Sequence, residues 1–262
     1  LNIGEGRVPT ERDLGENKIQ IDPENAHACN NLHDLCRFVY PDLENNYSNA
    51  GWLCSRAILC PTNELVERVN THMMNEFPGQ EKLYRSADTI LNPESQHQYP
   101  QEFLNSLSPS GLPPHKLHLK RKMPIMLLRN MNPKAGHCNG SRYTITNMSD
   151  HVIDATVASG VHVVKSIFIP RIALAPTEDL YPFQMIRRQF PIRVAFGMTS
   201  NKAQGQTMKR VGLYLEKDFF SHGQLYTAMS RVGNPKNLAI CAPKEQKPGV
   251  FTSNVVYHEI LS

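Results

Sequence analysis

MTSNKAQGQT (198–207) and SHGQLYTAMSRV (221–232) decide how this chain is read. Each is a polar loop feeding a short helix. The first follows the apolar run Val194-Ala195-Phe196, and the second follows Val211-Gly212-Leu213-Tyr214-Leu215. A strand that ends in a polar loop and then a helix start presents backbone amides without intrahelical partners, which is the pattern of a phosphate-handling edge in an α/β sheet.

Strands are expected near 193–197, 211–215 and 238–241, with helices after Asn201 and after Ser221. Upstream, Ala57-Ile58-Leu59-Cys60 reads as a short buried strand. The helix that follows carries Leu65, Val66, Val69 and Met73 on one face. Thr62 or Asn63 is its expected N-cap, with Glu64 complementing the exposed amides of the first turn. A further strand is expected over 83–90, and 92–114, rich in Pro, Ser, Gln and Asn, reads as a connector. Then the character changes. The runs 117–130, 141–147, 151–157 and 162–174 are β-type and separated by turns at Asn139-Gly140 and Ser159-Gly160, without an intervening helix. Strands at that spacing predict a small barrel inserted in the α/β domain.

The chain has 262 residues and 40% hydrophobic content, enough for one large domain or a domain with an insertion. Its net charge of +4 is unevenly placed. Residues 1–44 carry nine acidic and four basic side chains, which leaves 15 acidic and 24 basic in the remainder. A basic body suits a polyanion, because each phosphate neutralised releases counterions. Lys116, Lys120, Arg121 and Lys122 form one such run, although a solvated strand edge would carry the same charges. The opening residues lack the pattern of a secretory signal, and no apolar stretch approaches membrane-spanning length, so neither secretion nor a membrane partner is expected.

Six cysteines without a CxxC pair argue against a disulfide framework or zinc ribbon. His27, Cys29, His33 and Cys36 have a spacing that would permit zinc. Leu32, Leu35, Cys36 and Val39 also mark an apolar helical face, however, so the segment is read as a core helix and no metal site is expected.

In the first loop, Thr199, Ser200 and Asn201 offer hydroxyl, amide and backbone donors, Lys202 adds a charge, and Gly205 allows close backbone approach. In the second, Leu225, Ala228 and Met229 suit a core-facing side, while Arg231 stands at the helix end. A planar, permanently charged guanidinium there suits a phosphate arriving from elsewhere. Taken singly, each segment also fits a capped helix start and an arginine favoured by the helix dipole.

Together the two segments resemble motifs V and VI of superfamily-one helicases, and specifically the Pif-type 5′-to-3′ DNA helicases, including the helicase portion of Helitron transposons. Thr199, Asn201, Lys202, Ala203, Gln204, Gly205, Gln206 and Thr207 fill the first pattern. Gly223, Gln224, Tyr226, Ala228, Ser230 and Arg231 fill the second. ILCPTNELVERVN (58–70) resembles the family's motif IV strand and helix, and 111–145 resembles its 2B region. Ser200 and Ala203 are mild departures, where relatives often carry Ile or Val and Ser.

The resemblance implies an α/β, RecA-like parallel-sheet domain (2A) with an inserted SH3-like β-barrel (2B). The implied division is a linker or trailing edge of a preceding domain (1–50), 2A (51–110), 2B (111–180), 2A again (181–245) and a tail (246–262). It implies that Arg231 is the arginine finger and that Gln204 and Gly205 lie near the ATP phosphates. Thr199, Asn201 and Lys202 would contact single-stranded DNA, with Thr62 and Asn63 as weaker contacts. Phe219, Phe220 and Tyr226 are candidate stacking aromatics. No Gly-Lys pair occurs in the chain, so the P-loop is missing. ATP and Mg2+ are therefore expected to be held mainly by a first RecA-like domain outside this chain, which alone would be inactive. The nucleus is the implied location, with the mitochondrion as alternative. Telomere maintenance, replication, repair and transposition stay open as settings. A stand-alone single-stranded nucleic-acid-binding module and a decayed transposon-derived fragment are the other readings.

Overall fold

Arg56–Cys60 is buried at all five positions and lies second in a five-stranded sheet. The strand order is Gly197–Thr199, Arg56–Cys60, Arg210–Tyr214, Leu238–Cys241 and His27–Ala28, with every neighbouring pair parallel. Buried parallel strands read as unbroken apolar runs, which is why the stretches at 57–60 and 238–241 show no alternation. The computed structural model describes residues 2–15, 17–92, 98–157, 166–176, 181–257 and 259. It forms two compact units, one of Leu1–Asn46, Ser55–Glu76 and Phe196–Ser262, the other of Tyr47–Cys54 and Phe77–Ala195.

In the first unit, two helices pack against the parallel sheet where glycine lets them approach. A Cβ on Gly212 would stand 2.7 Å from Val39 Cγ2 of the Leu32–Val39 helix, and one on Gly197 would stand 2.9 Å from Val69 Cγ1 of the Asn63–Glu76 helix. Buried Asn70 accepts a hydrogen bond from the Gly197 amide at 2.9 Å, fixing the second helix to the sheet's outer strand. The Tyr40 hydroxyl lies 3.2 and 3.1 Å from the carbonyls of Arg56 and Phe196, its acceptors.

Residues 1–46, expected to be part of a linker or the trailing edge of a preceding domain, belong to the first unit. Ile19 and Ile21 are buried in the strand Lys18–Ile21, which pairs antiparallel with Val250–Ser253, and Leu35, Cys36 and Val39 fill the core beside the parallel sheet. Within the expected tail, Val250–Ser253 is likewise a strand. Asp218 joins the pair: it accepts from Ser253 Oγ at 2.8 Å and Thr252 Oγ1 at 3.1 Å and meets Lys18 Nζ at 3.0 Å. Burial works to raise its carboxyl pKa, but the hydrogen bonds from Lys18 and Ser253 outweigh it and hold the group below the usual carboxylate range.

The second unit contains a five-stranded antiparallel sheet ordered Ser166–Pro170, Val152–Val157, Arg142–Met148, Pro124–Leu127 and Ile192–Val194. A register shift between Ile145 and Asn147 marks a bulge. The turn at Ser159-Gly160 and the start of the strand expected from 162 lie outside the described residues. Glu81–Arg85 pairs with Lys116–Lys120, and Ala87–Ile90 with Met185–Gln189. Those pairings carry 77–110 and 181–195 into the second unit, so the units part at 76/77 and 195/196 rather than at the boundaries expected near 110 and 180. The connector expected over 92–114 contains a short helix, Gln101–Ser106, with Leu104 buried. Arg187 and Asp88 form a fully buried bidentate pair, at 2.9 Å (Nε–Oδ1) and 2.7 Å (Nη2–Oδ2). The guanidinium also donates to the carbonyls of Pro113, Leu104 and Leu107, which compensates its desolvation. Among the described residues no helix is long and apolar enough to cross a membrane.

Candidate functional site

Because all five strands of the parallel sheet run the same way, their carboxyl ends and the loops leaving them share one edge of it. Thr199 is in register with Cys60, so the loop at 199–207 and the turn bearing Thr62 and Asn63 leave neighbouring strands side by side. Thr62 caps the Asn63–Glu76 helix: its Oγ1 accepts from the Leu65 amide at 3.4 Å and its carbonyl from the Val66 amide at 3.1 Å. The hydroxyl proton of Thr62 remains a donor for another oxygen. Asn63 is exposed.

The helix expected after Asn201 is a single 3-10 turn, Ser200–Ala203. Ser200 and Ala203 are buried, whereas Asn201, Lys202, Gln204 and Gly205 are exposed. The turn ends at Gln204, which swings to ψ 132°, and Gly205 then takes φ +77°, a left-handed conformation that glycine reaches without steric cost. A Cβ added at Gly205 would meet nothing within 4 Å, so the backbone there is open to an incoming group. Gln206 closes the loop on itself, donating from Nε2 to the Lys202 carbonyl at 2.9 Å.

The second segment forms the helix Gln224–Met229, entered through Gly223 at φ +67°. It lies along the 199–207 loop and touches it at both ends. At its start, Gln224 Nε2 donates to Asn201 Oδ1 at 3.5 Å, while its Oε1 accepts from the amides of Phe220 and Ser221, each at 3.3 Å. Past its end, Arg231 Nη1 donates to the Gln206 carbonyl at 3.4 Å, and the Met208 amide donates to the Arg231 carbonyl at 2.8 Å. Arg231 is half-buried; its Nε donates to the Thr227 carbonyl at 2.7 Å and its Nη2 to Ser230 Oγ at 2.9 Å. Ser230 and Val232, on either side of it, line a cavity of about 680 Å³ together with Arg7, Tyr226 and Met229.

The structure therefore brings Asn201, Gln206, Gln224 and Arg231 together and sets Thr199, Thr62 and Asn63 on the adjoining sheet edge. Gln224 is the residue whose part sequence reasoning did not assign. Its position after Gly223 was visible, but its two-sided use as cap and bridge depends on where Asn201 falls. Among the stacking candidates, Phe220 and Tyr226 are exposed, while Phe219 is 2% exposed and belongs to the core. In the second unit, Lys120 Nζ donates to the Phe77 carbonyl at 2.7 Å, and Arg121 donates twice to the Thr146 carbonyl at 3.1 and 2.9 Å. Two of the four cations in that run thus hold their own backbone.

The spacing that would permit zinc at His27, Cys29, His33 and Cys36 does not gather those side chains. His27 stacks flat on Phe38 at 5.4 Å, Cys36 is buried with its thiol pushed up by that burial, and His33 turns to Glu76. All six cysteines are free thiols.

The family model of the DNA helicase Pif1 2B domain matches residues 102–148. The ATP-dependent DNA helicase PIF1 of Xenopus laevis is 24% identical over 208 residues, covering 79% of this chain and 30% of that protein. The human ATP-dependent DNA helicase PIF1 is 25% identical over 188 residues, covering 70% and 26%. This chain spans about a third or less of the length of those relatives. Among solved structures, the Pif1 helicase of Candida albicans superposes with a TM-score of 0.54 at 20% identity, over 78% of this chain and 53% of that one. Pif1 from Bacteroides, in complex with ADP-AlF3 and ssDNA, gives 0.52 at 21% identity, over 80% and 44%. These superpositions establish a shared fold, and the 2B match and the curated relatives make this chain similar to part of the Pif1-type DNA helicases.

Proposed function

We propose that this chain is the second motor domain of an ATP-dependent 5′-to-3′ DNA helicase, supplying the arginine finger and the single-stranded DNA contacts. The observation that carries the reading is the continuity of the 199–207 loop with the Gln224–Met229 helix, from Asn201 beside Gln224 to Gln206 beside Arg231. A strand-end loop that can hold a nucleic-acid phosphate at one end and touches a mobile guanidinium at the other couples two ligands through one short piece of backbone.

In this reading Thr199, Asn201 and Lys202 hold the DNA backbone, with Thr62 and Asn63 as weaker neighbours, and Gln204 and Gly205 lie near the nucleotide phosphates. ATP and Mg2+ supply the phosphoryl-transfer chemistry when held mainly by a first RecA-like domain outside this chain, since these residues include no Gly-Lys pair. Arg231 is stored between uses. Its Nε bond to Thr227 anchors the stem, while the bonds from Nη1 to Gln206 and from Nη2 to Ser230 are those exchanged for a phosphate oxygen on domain closure. The antiparallel five-stranded sheet is read as the SH3-like barrel of 2B, and the nucleus as the working compartment, with the mitochondrion as alternative.

DNA contacts of this kind fall on phosphates, so affinity should be tolerant of sequence and steep in salt. Anisotropy of a labelled single-stranded oligonucleotide tests this. The reading expects Lys202→Ala to weaken binding severalfold and to lower the salt slope by about one unit or less. An unchanged slope and affinity would remove Lys202 from the interface.

A further inference from the structure

Away from the edge just described, two helices of the first unit bring three ligating side chains to one point. His72 and Glu76 are four residues apart on the Asn63–Glu76 helix and so share a face, and His33 reaches them from the Leu32–Val39 helix. Glu76 Oε1 lies 3.0 Å from His33 Nδ1 and 3.1 Å from His72 Nε2, and the three ligand atoms all fall within 4.8 Å of one another. The imidazoles meet edge to face at 5.8 Å. His72 Nε2 is shielded from solvent and, despite the nearby carboxylate, makes no hydrogen bond of acceptable geometry. A buried ring nitrogen in that state costs free energy unless something else engages its lone pair.

Ligand atoms around a tetrahedral zinc ion, at bonds of about 2.0–2.1 Å, stand about 3.3 Å apart. Two of the three edges here are already near that length, and the third is within 4.8 Å. We infer that His33, His72 and Glu76 form a binding site for a divalent transition metal, with zinc the ion that best fits two imidazoles and one carboxylate. Three protein ligands leave the fourth position to water or an exogenous donor. His72 also borders an open groove of about 630 Å³ lined by Glu64, Glu67, Arg68 and Asn75, through which such a donor reaches the ion. A bound ion fastens the helix that begins at the Thr62 cap to the helix packed on Gly212, so the site links the sheet edge to the core. It is independent of the helicase reading.

The test uses the chain freed of metal by a chelator and titrated with zinc chloride in competition with a chromophoric indicator. One equivalent should bind, and the bound ion should raise the unfolding midpoint. Glu76→Gln and His33→Gln should each weaken binding on the order of a hundredfold or more and abolish the midpoint shift. His33 has 53% of its side chain exposed, so its replacement leaves the fold intact, as circular dichroism will report. Cobalt substituted for zinc should give visible ligand-field bands without a thiolate charge-transfer band. Affinity unchanged in His33→Gln and Glu76→Gln, or a thiolate band lost on cysteine substitution, would overturn the assignment and mark binding as adventitious.

Discussion

Arg231 donates from Nη1 to the carbonyl of Gln206 at 3.4 Å, across 25 residues of sequence. That contact joins the end of the 198–207 segment to the end of the 221–232 segment. At the opposite end Gln224 reaches Asn201, so helix and loop are tied twice. Movement of either tie is transmitted along a loop only a few residues long.

Gln224 carries two separable duties, and two substitutions separate them. Gln224→Ala removes the acceptor used by the Phe220 and Ser221 amides and should cost about 1–2 kcal/mol of stability. Gln224→Glu keeps that acceptor but loses the donor to Asn201. Denaturant unfolding should find it close to wild type, while single-stranded DNA affinity falls in both variants. Equal affinity in Gln224→Glu and wild type would separate Asn201 from the DNA contact.

Gly212 is required by packing and not by backbone angle. A Cβ there meets Val39 Cγ2 at 2.7 Å and Leu35 Cδ1 at 3.0 Å, so Gly212→Ala must displace these buried side chains or the helix that carries them. Overpacking of this kind costs about 1–3 kcal/mol. Gly212→Ala with Val39→Ala should recover most of the loss, and a chemical-denaturation midpoint for each variant decides it.

Asp218 sets a pH dependence whose sign is fixed by its lowered carboxyl pKa. The group binds protons more weakly folded than unfolded, so its contribution is complete above the unfolded value, about 4, and is lost as pH falls through the folded one. Wild-type stability should therefore drop below about pH 4. Asp218→Asn should be less stable than wild type at neutral pH and should lose less between pH 4 and 2, as thermal unfolding across that range will record.

Much of the first unit was legible because its signals are local. Leu238–Cys241 is the strand read from its apolar run, and the helix carrying Leu65, Val66, Val69 and Met73 forms with those residues buried. The amino-terminal residues read as a linker or trailing edge because their partners are remote: Ile19 pairs with Thr252, a contact no window of sequence contains. The helix expected after Asn201 is one turn because the backbone leaves helical geometry at Gln204 and reverses through left-handed Gly205, and residue types in a polar loop do not announce which angles they will adopt. Domain edges shifted for the same non-local reason, since Ala87–Ile90 finds Met185–Gln189. At the sheet edge, residue types named the chemistry, but only the fold set Gln206 beside Arg231. His33 was grouped by spacing with Cys36, four residues' worth of helix pattern, while its real neighbours His72 and Glu76 lie on another helix.

In the proposed function, the Arg231 guanidinium completes a phosphate site belonging to another domain while the loop it rests on serves DNA. The most direct test is DNA-stimulated ATP turnover by this chain joined to a P-loop domain of a Pif1-type relative, measured beside single-stranded DNA affinity. Arg231→Ala should lower turnover by on the order of a thousandfold or more and leave DNA affinity within about twofold. Turnover equal to that of the unsubstituted protein would contradict the account.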